Sequence, residues 1–186
     1  MGIQIEDSTG SGQGVGVSPT GNRLNTSSRS DNRAYYNSRD EGQTYSMVYS
    51  HPSAADGQYS FYLQNTSTDK TLVVSSIGLN ADDLAKFKLC YVTGTAANGV
   101  AVVPVNLNRA SANDAICTAI SDEGGTAISG LTTDGCIDTA SVVVNGHEEF
   151  RLGDKLRLGQ NDAIALEMDA GTSTPDCYGV VFFYFE

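Results

Sequence analysis

The chain has 186 residues, enough for one domain that closes its own core, and its 40% hydrophobic content is that of a globular protein. A net charge of −11 argues against binding to nucleic-acid phosphates, which calls for Lys and Arg. No apolar run reaches the roughly 20 residues of a membrane span, and residues 1–33 lack the charged and apolar regions of a secretory signal.

The chain opens with "IEDSTGSGQGVGVSPTGNRLNTSSRSDNR", with glycines at 10, 12, 14 and 16. A phosphate loop needs GxxxxGK[ST], but no Lys occurs before Lys70. A dinucleotide fingerprint needs GxGxxG between a strand and a helix, and neither the spacing nor a helix is there. Residues 1–33 contain no aromatic residue and few aliphatics, too little to offset about 1–2 kcal/mol per residue of backbone ordering. "IQIE" and "VGVS" alternate, however, and short extended pieces of this kind can add to the edge of another sheet. Residues 1–34 are therefore expected to form an extended arm that contacts another subunit. Ile3, Ile5, Val15, Val17, Arg23, Leu24, Arg29 and Arg33 are its candidate partner-binding residues. Arg23, Arg29 and Arg33 balance Glu6, Asp7 and Asp31, so the whole acidic excess lies beyond residue 33.

Composition changes at Tyr35, and residues 35–186 read as one all-β domain. "TYSMVYS" (44–50) alternates, and "QYSFYLQN" (58–65) ends in a turn. "KTLVVSSIGLN" (70–80) is a long β-rich run. "AKFKLCYVTG" (85–94) places Phe87, Leu89 and Tyr91 on one face and Lys86, Lys88 and Cys90 on the other. "GVAVVPVNLN" (99–108) must lie at an edge or bend at Pro104, which cannot donate to a ladder. "DAICTAIS" (114–121), "TAISGLTT" (126–133) and "TASVVVNG" (139–146) follow. "EEFRLGDKLRLG" (148–159) is expected to turn at Gly-Asp. "DAIALEMDAG" (162–171) and "DCYGVVFFYFE" (176–186) close the chain and, being the most apolar, belong at the sheet centres. "ADDLAKF" (81–87) and "ANDAICTAI" are weak helix candidates. About ten short strands separated by Gly, Asn and Asp indicate an antiparallel β-sandwich or jelly roll.

Chemistry is sparsely encoded. His51 precedes Pro52 and His147 follows Asn145-Gly146, so both are expected in exposed loops, and no cofactor or metal site is expected. The acidic pairs Asp82-Asp83, Asp122-Glu123 and Glu148-Glu149 do not follow a calcium-loop order. There is no GxSxG elbow, and no enzymatic activity is expected. Tyr35, Tyr36, Tyr45 and Tyr49 offer faces for a sugar but are more simply core or interface aromatics. Cys90, Cys117, Cys136 and Cys177 match no zinc module. They are expected as free thiols, with Cys117–Cys136 the first candidate if a bridge forms.

The opening "IED" (5–7), the "NRL" (22–24) and the polar "SSRSDNRAYYNSRDEGQTYS" resemble small virion proteins of tailed bacteriophages, of the capsid decoration or cement type. "FYLQNTSTDKTLVVSSIGL" (61–79) and the terminal "GVVFFYFE" are similar to the same family. The resemblance covers the first 80 and last 25 or so residues; 85–160 do not share in it. It implies a β-sandwich subunit, often a homotrimer, assembled in the host cytoplasm and seated on a shell of major capsid protein. Neither nucleic acid nor membrane is an expected partner. The alternative is a tail, neck or spike component that binds a receptor or glycan.

Overall fold

The computed structural model describes residues 37–123, 126–169 and 173–186. The expected arm, 1–34, and with it all eight of its candidate residues, lies outside them. A five-residue π-helical turn (Asn37–Glu41) leads into eleven strands. These are β1 (Thr44–His51), β2 (Tyr59–Asn65), β3 (Leu72–Ala81), β4 (Ala85–Ala97), β5 (Val100–Ala101) and β6 (Val105–Asn106). Then come β7 (Cys117–Ser121), β8 (Ser129–Val142), β9 (Gly146–Leu158), β10 (Ala163–Asp169) and β11 (Cys177–Phe185).

The strands form two antiparallel sheets packed as a β-sandwich. The first has the order β6-β1-β11-β3-β9 and the second β5-β7-β2-β10-β4-β8. The two most apolar strands, β10 and β11, are central, as their sequences require. Pro104 lies between β5 and β6, where the chain leaves the edge of the second sheet for the edge of the first. The missing N–H is thus placed where no ladder needs it.

Alternation decides the core. Tyr45, Met47 and Tyr49 of β1, Phe87 and Leu89 of β4, Ile164, Leu166 and Met168 of β10, and Val181, Phe183 and Phe185 of β11 point inward and are buried. Tyr45 stacks on Phe183 at 5.6 Å and meets Phe185 edge-on at 5.8 Å. Such pairs contribute about 0.5–1.5 kcal/mol each beyond the area they bury. Asn65 closes one end of the sandwich. Its amide donates to the Lys70 and Leu158 carbonyls, and its side-chain oxygen accepts from the Ser67 N–H. Three chain segments are thereby joined through one buried and satisfied side chain.

Three expectations are corrected. "TAISGLTT" and "TASVVVNG" are not two strands, because β8 runs unbroken from Ser129 to Val142. The Gly-Asp turn inside 148–159 does not form. Gly153 adopts φ +58 within β9, and the strand continues past a bulge facing Val74–Ser76. Both weak helix candidates are replaced by strand. Asp82-Asp83 is the turn into β4, and β7 occupies Cys117–Ser121.

The cysteines also differ from expectation. Cys90 and Cys136 form a disulfide between paired positions of β4 and β8, while Cys117 and Cys177 are free. The Cys117–Cys136 alternative fails on topology. β7 is the second strand of its sheet and β8 the last, with β2, β10 and β4 between them. Burial pushes both free thiols up to about 12, so they are inert apolar fillers rather than nucleophiles.

Candidate functional site

Two places in the sandwich concentrate polar chemistry. The first is buried. The inward face of β1 runs Tyr45, Met47, Tyr49, His51, so alternation carries the imidazole into the interior. His51 is 1% exposed, not a loop residue as expected. Its Nε2–H donates to Asp122 Oδ2 at 2.8 Å and lies 3.2 Å from Gln58 Oε1. Both neighbours are acceptors, which fixes the tautomer, and Nδ1 then accepts from the Ser60 hydroxyl at 3.0 Å. Beside it, Ser121 Oγ donates to the Ser50 carbonyl and accepts from the Ser50 N–H.

Burial holds His51 below its ordinary pKa of 6.5, opposed by the Asp122 charge and the Gln58 hydrogen bond. Burial raises Asp122 above 3.8, opposed by His51. Asp122 Oδ1 has no hydrogen-bond partner among the described residues. The trio has the composition of a hydrolytic triad, but the serine sits on Nδ1 and the carboxylate on Nε2, the reverse of the serine-protease arrangement. Ser60 is 0% exposed and beyond the reach of a substrate in this arrangement. What the cluster does is tie the sheets. His51 belongs to one, Ser60 to the other, and Asp122 directly follows β7.

The second place is open. Tyr91 lies on the core-facing side of β4, opposite the buried Ile164, yet is 39% exposed. The reason is the lateral edge of the sandwich. β8 and β9 are joined by the Val143–Gly146 turn, closed by the Gly146 N–H to the Val143 carbonyl at 2.7 Å. Asn145 supplies the φ of +53 that this turn needs. Away from the turn the two strands belong to different sheets. Tyr91 stands between two clefts there. One, of about 440 Å³, is lined by Gln64, Thr93, Asp134, Arg157, Asn161 and Asp162 among others. The other, of about 230 Å³, is lined by Ile137, Asp138, Arg151, Leu152, Lys155 and Leu156.

The outer face of the first sheet is a third feature. Val48 pairs with Val180, Ser46 with both Val105 and Phe182, and Ser50 with Tyr178, so these side chains share one face. Val48 is 67% exposed, Val105 63% and Tyr178 54%. Apolar side chains exposed on one sheet face, here running from the edge strand β6 across β1 to β11, mark an interaction surface more than a solvated one. His147 is exposed as expected but stands on β9, at the far side of the same face, and not in a loop; its Nδ1 is 3.0 Å from Asn80 Oδ1.

Of the aromatics considered for stacking, Tyr45 and Tyr49 are core, and Tyr35 and Tyr36 lie outside the described residues. Sequence reasoning missed His51–Asp122 and Tyr91. The signal for His51 was present in the β1 alternation and was outweighed by Pro52. No family model, curated protein or solved structure matches the chain.

Proposed function

We propose that the protein is a non-enzymatic virion structural protein of a tailed bacteriophage, a capsid decoration protein that binds the major capsid protein shell and stabilises it. The observation that carries this reading is the outer face of the first sheet, where Val48, Val105 and Tyr178 are exposed together. A large protein surface is the occupant such a broad, shallow apolar face suits. The resemblance of the opening and closing segments to decoration proteins points the same way, as does an arm whose composition calls for a partner. The arm then orders against a neighbouring subunit or the shell, and the protein acts as a homotrimer. Each contact is weak alone and is repeated over a symmetric shell, where avidity compensates.

The test is rebinding. Purified protein is mixed with stripped and with decorated capsids, and the bound fraction and the shell melting temperature are measured. Rebinding that raises shell stability, weakened by Val48→Asp and by deletion of residues 1–33, is the expected outcome. Absence of rebinding, with no loss of shell stability on stripping, overturns the reading.

A further inference from the structure

We propose that the paired clefts on either side of Tyr91 form a binding site for a neutral oligosaccharide. The inference does not rest on the decoration reading, since a sugar site can serve a shell, neck or tail protein equally.

The geometry comes first. Tyr91 is an exposed aromatic on β4, a strand paired on both sides and placed next to the sheet edge, and it lines two hollows of about 440 and 230 Å³. Two hollows flanking one aromatic face suit a chain of rings, each in its own subsite, with the tyrosine between them. The larger is of the size ordinary ligand sites have.

The lining decides the class. The larger hollow presents the amide of Gln64, the hydroxyl of Thr93, the amide of Asn161 and the carboxylates of Asp134 and Asp162. Much of this capacity is uncommitted. Among the described residues, neither Asp134 nor the Tyr91 hydroxyl has a hydrogen-bond partner. Asp162 commits Oδ2 to the Gly159 N–H, and Gln64 commits only its Nε2, to the Asn161 carbonyl. Planar amides and carboxylates offer two adjacent polar atoms, the spacing of vicinal hydroxyls. A largely polar lining does not suit an apolar ligand. Asp134 and Asp162 gather no third metal-binding side chain among the described residues, so a cation is not the better occupant.

Charge then separates neutral from acidic sugars. Arg157 is engaged by Glu186 and Arg151 by Glu149. Among the described residues Lys155 is left without an ion-pair partner, against Asp134, Asp138 and Asp162 on the same two hollows. A polyanion would meet net repulsion there, on a chain already at −11.

The experiment screens the full-length protein on an array of neutral and acidic glycans. The strongest neutral oligosaccharide is then titrated by calorimetry into wild type, Tyr91→Ala, Tyr91→Phe and Asp134→Ala. Tyr91→Ala is expected to weaken binding about tenfold or more and Asp134→Ala by several-fold, while Tyr91→Phe retains most of it. Asp134 is exposed and has no partner among the described residues, so Asp134→Ala folds whatever Tyr91→Ala does. No neutral glycan bound at 1 mM overturns the proposal. So does a preference for acidic glycans, or binding that survives both alanine variants. Capsid rebinding by Tyr91→Ala, run alongside, separates failure of the sugar site from failure of the decoration reading.

Discussion

Replacing His51 by alanine strands the carboxylate of Asp122 inside the sandwich. Asp122 is 1% exposed, its Oδ1 has no partner among the described residues, and its Oδ2 loses the 2.8 Å bond from His51. An uncompensated buried charge costs about 3–5 kcal/mol at neutral pH. The reverse variant, Asp122→Ala, is milder. It leaves a neutral imidazole that keeps Gln58 Oε1 at 3.2 Å and Ser60 Oγ at 3.0 Å, and it forfeits one hydrogen bond to a charged group, about 1.5–3 kcal/mol. The order of the two costs is therefore a consequence of the geometry.

The pH dependence sharpens the test. Burial lowers the pKa of His51 below 6.5, so the unfolded chain takes that proton first. The wild-type contribution is present above the ordinary value and declines as pH falls below 6.5, by up to about 1.4 kcal/mol per pH unit for one proton. Burial raises Asp122 above 3.8, so there the folded chain takes the proton first. That contribution grows as pH falls through the raised value. In His51→Ala only the Asp122 effect remains, so the gap between variant and wild type narrows from pH 7.5 to 5.0. Urea unfolding followed by tyrosine fluorescence measures it. Equal costs for the two variants, both under about 1 kcal/mol, or a gap that does not change with pH, would refute the cross-sheet tie.

The other expectations are simpler. Cys136 is exposed, so a thiol reductant should open the Cys90–Cys136 bridge in the folded protein. At a sequence separation of 46, the lost chain constraint lowers stability by up to about 4 kcal/mol, read as a shifted urea midpoint, and an unchanged midpoint would contradict this. Gly179 faces the core near the start of β11, where an added Cβ would collide with the Gly78 carbonyl and come within 2.5 Å of the Tyr49 hydroxyl. Gly179→Ala should cost about 1–3 kcal/mol or more, because backbone on a central strand cannot yield. It should also break the 3.0 Å hydrogen bond from the Tyr49 hydroxyl to the Gly78 carbonyl, and a melting temperature within a degree of wild type would show that the strand yields to the added methyl group.

The strands were legible because β-sandwich residues alternate, and the inward sets of β1, β4 and β10 can be read directly from their letters. The faces of "AKFKLCYV" come out as written, with Tyr91 on the core side. What the letters do not carry is the order of strands within a sheet. Cys117 and Cys136 flank one Gly-rich segment, yet three strands separate β7 from β8, and the bridge goes to Cys90 across a ladder. Asp122 illustrates the same limit. It falls just after β7 as the sequence suggests, but its burial depends on β1 of the opposite sheet passing over it. Tyr91 is exposed because two sheet edges part beside it, a property of the fold's perimeter and not of its own neighbours.

Rebinding to stripped capsids tests the central claim most directly. The account predicts saturable binding in a fixed ratio to the major capsid protein, hundreds of copies per particle, with a higher shell melting temperature and weaker binding by Val48→Asp. A handful of copies confined to the tail or neck, or wild-type binding by Val48→Asp, would contradict it.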